Sequence, residues 1–211
     1  PTMRSFLRVS ALVTLFAGAG VSAQSPAAAR TADDSLARAV LKELIEFNTA
    51  PSGGALSKAT QAMAARLRAA GYDEADVQLT GPDAAHQNLI ATLRGRDRDA
   101  KPVLLMAHID VVEARASDWS MDPFTLREKD GYYYGRGTTD NKGGAAVIIA
   151  NMLRWKREHF VPSRDVIAVL TTDEDLVTRL VEGVGHIAGI PVDARDQHAQ
   201  HDERAGSQAG R

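Results

Sequence analysis

The chain has 211 residues, 44% of them apolar and 25% charged, with a formal net charge of −2 and a pI near 6.3. That length suits one domain with a sizeable core, and the charge balance offers no basic surface for nucleic acid. Cysteine is absent, which excludes disulfides, a thiol nucleophile and every thiolate metal site, so any metal must be held by His, Asp or Glu.

Residues 1–23 read as an export signal. Arg4 and Arg8 give a positive start, residues 9–20 are mostly apolar but too short to span a bilayer, and Val21, Ser22 and Ala23 are small residues of the kind a signal peptidase reads. The protein is therefore expected to be periplasmic or secreted, with no stable membrane anchor once the signal is removed. Residues 24–30 read as a flexible lead-in. Residues 36–47 place Leu36, Val40, Leu44 and Phe47 at the spacing of a helix with one buried face, and Thr31 with Asp34 resembles a capping pair. A loop with Pro51, Gly53 and Gly54 follows, and residues 57–70 predict a second helix that stops at Gly71.

Residues 77–80 and 89–93 predict short strands. Residues 103–112 begin as a continuous apolar run, which predicts a strand buried on both faces of a parallel sheet. Residues 126–129 and 132–134 flank Asp130-Gly131 and predict a hairpin. The glycine-rich stretch 135–144 leads into a helix over residues 145–158, and residues 165–170 predict another buried strand. Helices alternating with apolar strands argue for an α/β domain over residues 31–175. Residues 176–184 are compatible with a helix. From about residue 189 the chain is too polar to bury a core, so the 176–211 segment is expected to be a divergent tail, disordered toward its end.

Three polar stretches fall at the ends of these buried elements: His108-x-Asp110, Asp140, and Asp173-Glu174-Asp175. Each alone has a bland explanation. A strand-end histidine is most often a satisfied core residue, an aspartate before a helix is most often an N-cap, and an acidic run is most often solvated. Their conjunction favours a metal site. On an extended chain His108 and Asp110 point the same way, so the carboxylate can fix the imidazole tautomer and leave the other ring nitrogen for a metal. Adjacent acids repel one another unless a cation or solvent intervenes.

Taken in order, His108-Ile109-Asp110, Trp119, Asp122-Pro123-Phe124, Asp130-Gly131, Tyr134-Gly135-Arg136-Gly137, Asp140-x-Lys142-Gly143 and Asp173-Glu174 resemble the M20 family of metallopeptidases, which includes glutamate carboxypeptidase, succinyl-diaminopimelate desuccinylase and aminoacylase. The resemblance covers roughly residues 36–175. It implies a three-layer α-β-α catalytic domain of zinc-exopeptidase type and a site for two Zn2+ ions, with Co2+ or Mn2+ as alternatives. It also implies a small peptide or N-acyl amino acid as substrate.

By that resemblance His108 binds one metal and Asp110 orients it. Asp140 bridges both metals, Glu174 is the general base toward the attacking water, and Asp175 ligates the second metal. Asp175 stands where the family usually has Glu. Lys142 is expected to be a structural cation in the turn. The family pattern continues with a further acidic ligand, a late histidine ligand and an inserted lid or dimerisation domain. The chain is therefore expected to be a truncated form with impaired activity, and a family-type homodimer is not expected. The alternative is a non-catalytic fragment that keeps part of the fold and binds metal weakly or not at all.

Overall fold

The computed structural model describes residues 26–174. The segment expected to be an export signal, the segment 176–211 expected to be a tail, and Asp175 lie outside the described residues. Three helices, α1 (Pro26–Glu46), α2 (Leu56–Ala69) and α3 (Lys142–Arg157), accompany six strands: β1 (Val77–Thr80), β2 (Asn88–Leu93), β3 (Val103–His108), β4 (Arg127–Lys129), β5 (Tyr132–Tyr134) and β6 (Val166–Thr171).

Four strands form one sheet in the order β1-β2-β6-β3. β1 and β6 both run antiparallel to β2, and β3 runs parallel to β6 with His108 opposite Thr171. β4 and β5 form a separate hairpin, whose turn residues Asp130 and Gly131 both have positive φ, at 55° and 80°. Glycine meets that demand without strain, and Asp is among the side chains that tolerate it.

The three helices share one core with the sheet. Leu44 and Ile45 of α1, Met63 and Leu67 of α2, and Ile149 and Met152 of α3 are fully buried with Leu89, Ala91, Ala168 and Leu170 of the sheet. Each large side chain here contributes ~1.5–3 kcal/mol by burial. On the other face Ile167 and Val169 are buried, with Ile90, Leu104 and Met106 packed against them. Helix apolar spacing and strand alternation, both visible in the sequence, thus account for this packing.

Several details depart from expectation. The 24–30 lead-in is helical from Pro26 onward. Pro is suited to the first helical turn, and the alanines after it are strong helix formers. Thr31 consequently lies inside α1, where its carbonyl accepts a bond from the Ser35 hydroxyl, and is no cap. β3 is not buried on both faces: Val103 is exposed and Leu104, Leu105 and Met106 are half-buried. β3 has only one strand neighbour among the described residues, whereas β6 sits between two strands and is buried throughout.

Candidate active site

The chain beyond β3 is held extended by ties on both sides. Ile109 is fully buried; its N–H donates to Thr171 O at 2.9 Å and its O accepts the Thr49 hydroxyl at 2.6 Å. Val111 N–H donates to Thr49 O at 3.4 Å. The loop after α1 therefore fixes the segment that carries His108 and Asp110 and keeps both side chains on one side.

Asp140 reaches the same place from the glycine-rich stretch. Gly137 has φ 89°, and a Cβ there would fall 2.8 Å from Val111 Cγ1, so packing and conformation both require glycine. Lys142 N–H donates back to Gly137 O at 3.0 Å, closing the turn, and the Asp140–Asn141 peptide is cis. Asp140 is not the cap of α3. Asn141 holds that position without a side-chain bond, and the Asp140 side chain, 79% exposed, reaches His108 instead.

Glu174 comes from the far end of β6. Asn88 at the start of β2 is buried, and its Oδ1 accepts both the Thr172 N–H at 2.8 Å and the Thr172 hydroxyl at 3.0 Å. That pins the chain just before Asp173 and Glu174. His108, Asp110, Asp140 and Glu174 all line one cleft of about 230 Å³.

At its centre His108 is almost buried. Its Nε2 lies 2.9 Å from Asp140 Oδ1, and its Nδ1 lies 3.2 Å from Asp110 Oδ1. The second approach is an ion-pair contact off the hydrogen-bond line, and among the described residues neither of these two buried atoms has a hydrogen-bond partner. Asp110, in first place, with Glu174 and Asp140, pushes the imidazole up from 6.5 to about 9 against the opposing effect of burial. Without a metal, these three carboxylates favour the protonated ring.

Lys142 is structural and more deeply placed than a turn position suggests. It is the first residue of α3 and fully buried, with its Nζ donating to Phe47 O at 2.8 Å. Burial pushes its ammonium from 10.5 down to about 7. The side chain thus has the structural role expected of it, tying α3 to the end of α1 from a buried position.

The donors suit a divalent metal in type and spacing. Two ligands each ~2.0–2.1 Å from one ion stand about 3 Å apart, close to the separation of His108 Nε2 and Asp140 Oδ1. An imidazole with a carboxylate favours zinc, manganese or cobalt over soft-ligand metals. Among the described residues no three His, Asp or Glu side chains gather to hold one ion. Thr49 and Asn88, which position the site, carried no signal in the sequence; they are ordinary loop and strand residues there.

This fold is shared with known hydrolases. Human carnosine dipeptidase 1 superposes with a TM-score of 0.62 at 23% identity, covering 78% of this chain and 38% of that one. The M20 family metallo-carboxypeptidase Sso-CP2 from Sulfolobus solfataricus superposes at 0.57 with 15% identity, covering 72% and 34%. The described residues thus form a mixed α/β fold similar to M20 peptidase catalytic domains.

Sequence comparison finds similar proteins as well. Residues 104–207 match the family model of peptidase family M20/M25/M40. The chain is 38% identical over 85 residues to the N-fatty-acyl-amino acid synthase/hydrolase PM20D1 of Bos taurus, covering 40% of this chain and 17% of that protein. It is 35% identical over 129 residues to the succinyl-diaminopimelate desuccinylase of Xanthomonas campestris pv. campestris, covering 61% and 32%. The chain matches a fragment of an M20 metallopeptidase, spanning a third or less of these curated relatives.

Proposed function

We propose that the chain contributes to a metal-dependent hydrolase of peptide or N-acyl amide bonds, with its described residues supplying the front half of the catalytic centre. The observation that carries this is the placement of His108 Nε2 2.9 Å from Asp140 Oδ1 in an open cleft, with Asp110 behind the ring and Glu174 in the same lining. His108 and Asp140 would hold the metal, Asp140 having a second oxygen with which to bridge to another ion. Zinc is the ion that best suits this donor pair. When bound, a divalent cation supplies Lewis acidity to the scissile carbonyl.

The remaining chemistry belongs to this chain's own side chains. Asp110 holds the His108 ring in orientation through Nδ1, leaving Nε2 to face the cleft. Glu174 is exposed in the cleft and free to take a proton from the attacking water and return it to the leaving nitrogen. Asp175, next in sequence, would complete a second metal position. The substrate would be a small peptide or N-acyl amino acid, as the names of the relatives suggest. Export through residues 1–23 would put this chemistry in the periplasm or outside the cell.

A second reading rests on the count of donors. His108 and Asp140 give one ion two protein ligands, whereas catalytic zinc normally has three and a water. The chain by itself would then bind zinc weakly and turn over little. Calorimetric titration with zinc, together with hydrolysis of a panel of dipeptides and N-acyl amino acids, tests both readings. Saturable zinc binding that is lost in His108→Ala and Asp140→Ala supports the metal site, and zinc binding unaffected by either substitution removes it. Chelator-sensitive hydrolysis supports the active enzyme; zinc binding without hydrolysis supports the weaker form.

A further inference from the structure

β6 carries one polar side chain, and it stands at the candidate site. The strand is apolar from Val166 to Leu170 and closes with Thr171, which is fully buried. The Thr171 Oγ1 has no hydrogen-bond partner among the described residues. Valine has nearly the same shape and would fill this place without an orphaned hydroxyl, which is costly when buried. Packing alone therefore does not account for the threonine.

The strand register shows what the hydroxyl stands beside. His108 of β3 is directly opposite Thr171, and the Ile109 N–H donates to Thr171 O at 2.9 Å. Leu104 and Met106 of β3 pack with Ile167 and Val169 of β6 on one face of the sheet. Side chains alternate along a strand, so His108 and Thr171 continue that face as neighbours about 5 Å apart. Asp110 follows His108 on the same side. Two more buried atoms at this spot are orphaned: His108 Nδ1 and Asp110 Oδ1, which face each other at 3.2 Å off the hydrogen-bond line. A carboxylate oxygen can accept two hydrogen bonds, and the ring N–H and the threonine hydroxyl are two donors. Three orphaned atoms on three adjacent side chains thus have complementary needs.

We propose that Thr171 is a positioning residue for the metal ligand His108. Its hydroxyl donates to Asp110 Oδ1 and turns that carboxylate into line with the His108 Nδ1–H, which presents Nε2 to the metal. This deepens the hydrolase reading and rests on it for the role of His108. A carboxylate held from one side only is free to rotate away from the ring; the second donor removes that freedom, and the backbone bond from Ile109 to Thr171 fixes the distance between the two partners.

Two measurements on the whole chain test this. In calorimetric zinc titration, Thr171→Val is expected to weaken binding about tenfold, whereas Thr171→Ser, which restores the hydroxyl and lacks the methyl, keeps the parent affinity. A purely packing role predicts the opposite order. In urea unfolding of chelator-treated protein, Thr171→Val is expected to lower the midpoint in the parent but not in Asp110→Ala, where the acceptor is gone. Should Thr171→Val fail to fold, Thr171→Ser set against Thr171→Ala gives the same comparison. Zinc affinity indifferent to the hydroxyl, a serine variant as weak as the valine one, or an equal midpoint shift in both backgrounds overturns the proposal. Zinc binding that is lost in His108→Ala yet indifferent to Thr171 keeps the hydrolase reading and removes this inference. If the parent takes up no zinc, the hydrolase reading is removed, and the midpoint comparison alone decides whether Thr171 holds Asp110.

Discussion

Replacing Asp110 by Asn tests how the site controls its histidine. In the metal-free protein the imidazole is raised from 6.5 to about 9, and Asp110, 3.2 Å from Nδ1, is the largest cause. That displacement corresponds to ~3 kcal/mol in total. The Asp110 contact is off the hydrogen-bond line and its side chain is 30% exposed, so we assign ~1–2 kcal/mol to it after allowing for solvent screening. The folded state keeps the proton up to about pH 9, while the unfolded chain releases it near 6.5. The stabilisation is therefore complete below pH 6.5 and is lost as pH climbs through 9. Urea unfolding of chelator-treated Asp110→Asn should show a loss of ~1–2 kcal/mol near about pH 6 that fades by about pH 10. The titration midpoint of the His108 ring protons should fall together with it. A loss of equal size at both pH values, or an unmoved ring titration, would refute the assignment of the charge to this pair.

Other expectations follow from single contacts. Lys142→Met should stabilise the protein by ~2–4 kcal/mol near about pH 6, where the buried ammonium is charged in both states; the gain should shrink toward pH 10.5 as the parent recovers, visible in paired thermal melts. Tyr72→Phe removes the hydroxyl bond to Met152 O at 2.9 Å and should cost ~1 kcal/mol at neutral pH. Burial raises the Tyr72 phenol well above its ordinary value of 10, so the parent should lose stability above pH 10, where only the unfolded chain ionises, and the urea-midpoint gap to the variant should close. Asn88→Ala takes away the acceptor for both Thr172 donors and should cost ~2–3 kcal/mol in urea unfolding; a change under half a kcal/mol, about the noise of a surface substitution, would count against its buried role.

Much of this architecture can be read from residue pattern. Leu44, Met63, Leu67 and Met152 lie at helical spacing, and the six residues of β6 are apolar or Thr, so element type and buried face follow from periodicity. The gathering of His108, Asp110, Asp140 and Glu174 in one cleft was expected from their positions at element ends. What could not be read depended on partners distant in sequence. β3 and β6 look alike as apolar runs, and only the strand order makes one central and the other flanking. Lys142 reads as a structural cation in the turn, and its full burial appears only once α3 packs it under the end of α1. Asn88 and Thr49 gain their roles only once β6 and the segment after β3 lie beside them.

The strand order has a consequence for how the protein is made. β2 and β3 do not pair with each other; β6 enters between them and supplies β3 with its only partner among the described strands. Until residues near Thr171 leave the ribosome, β2 and β3 each present an unpaired edge, and His108 has no fixed place. Such late, non-local closure slows folding and exposes strand edges that invite association between nascent chains. The half-made sheet should therefore depend on chaperones during synthesis more than a protein whose strands pair in order of appearance.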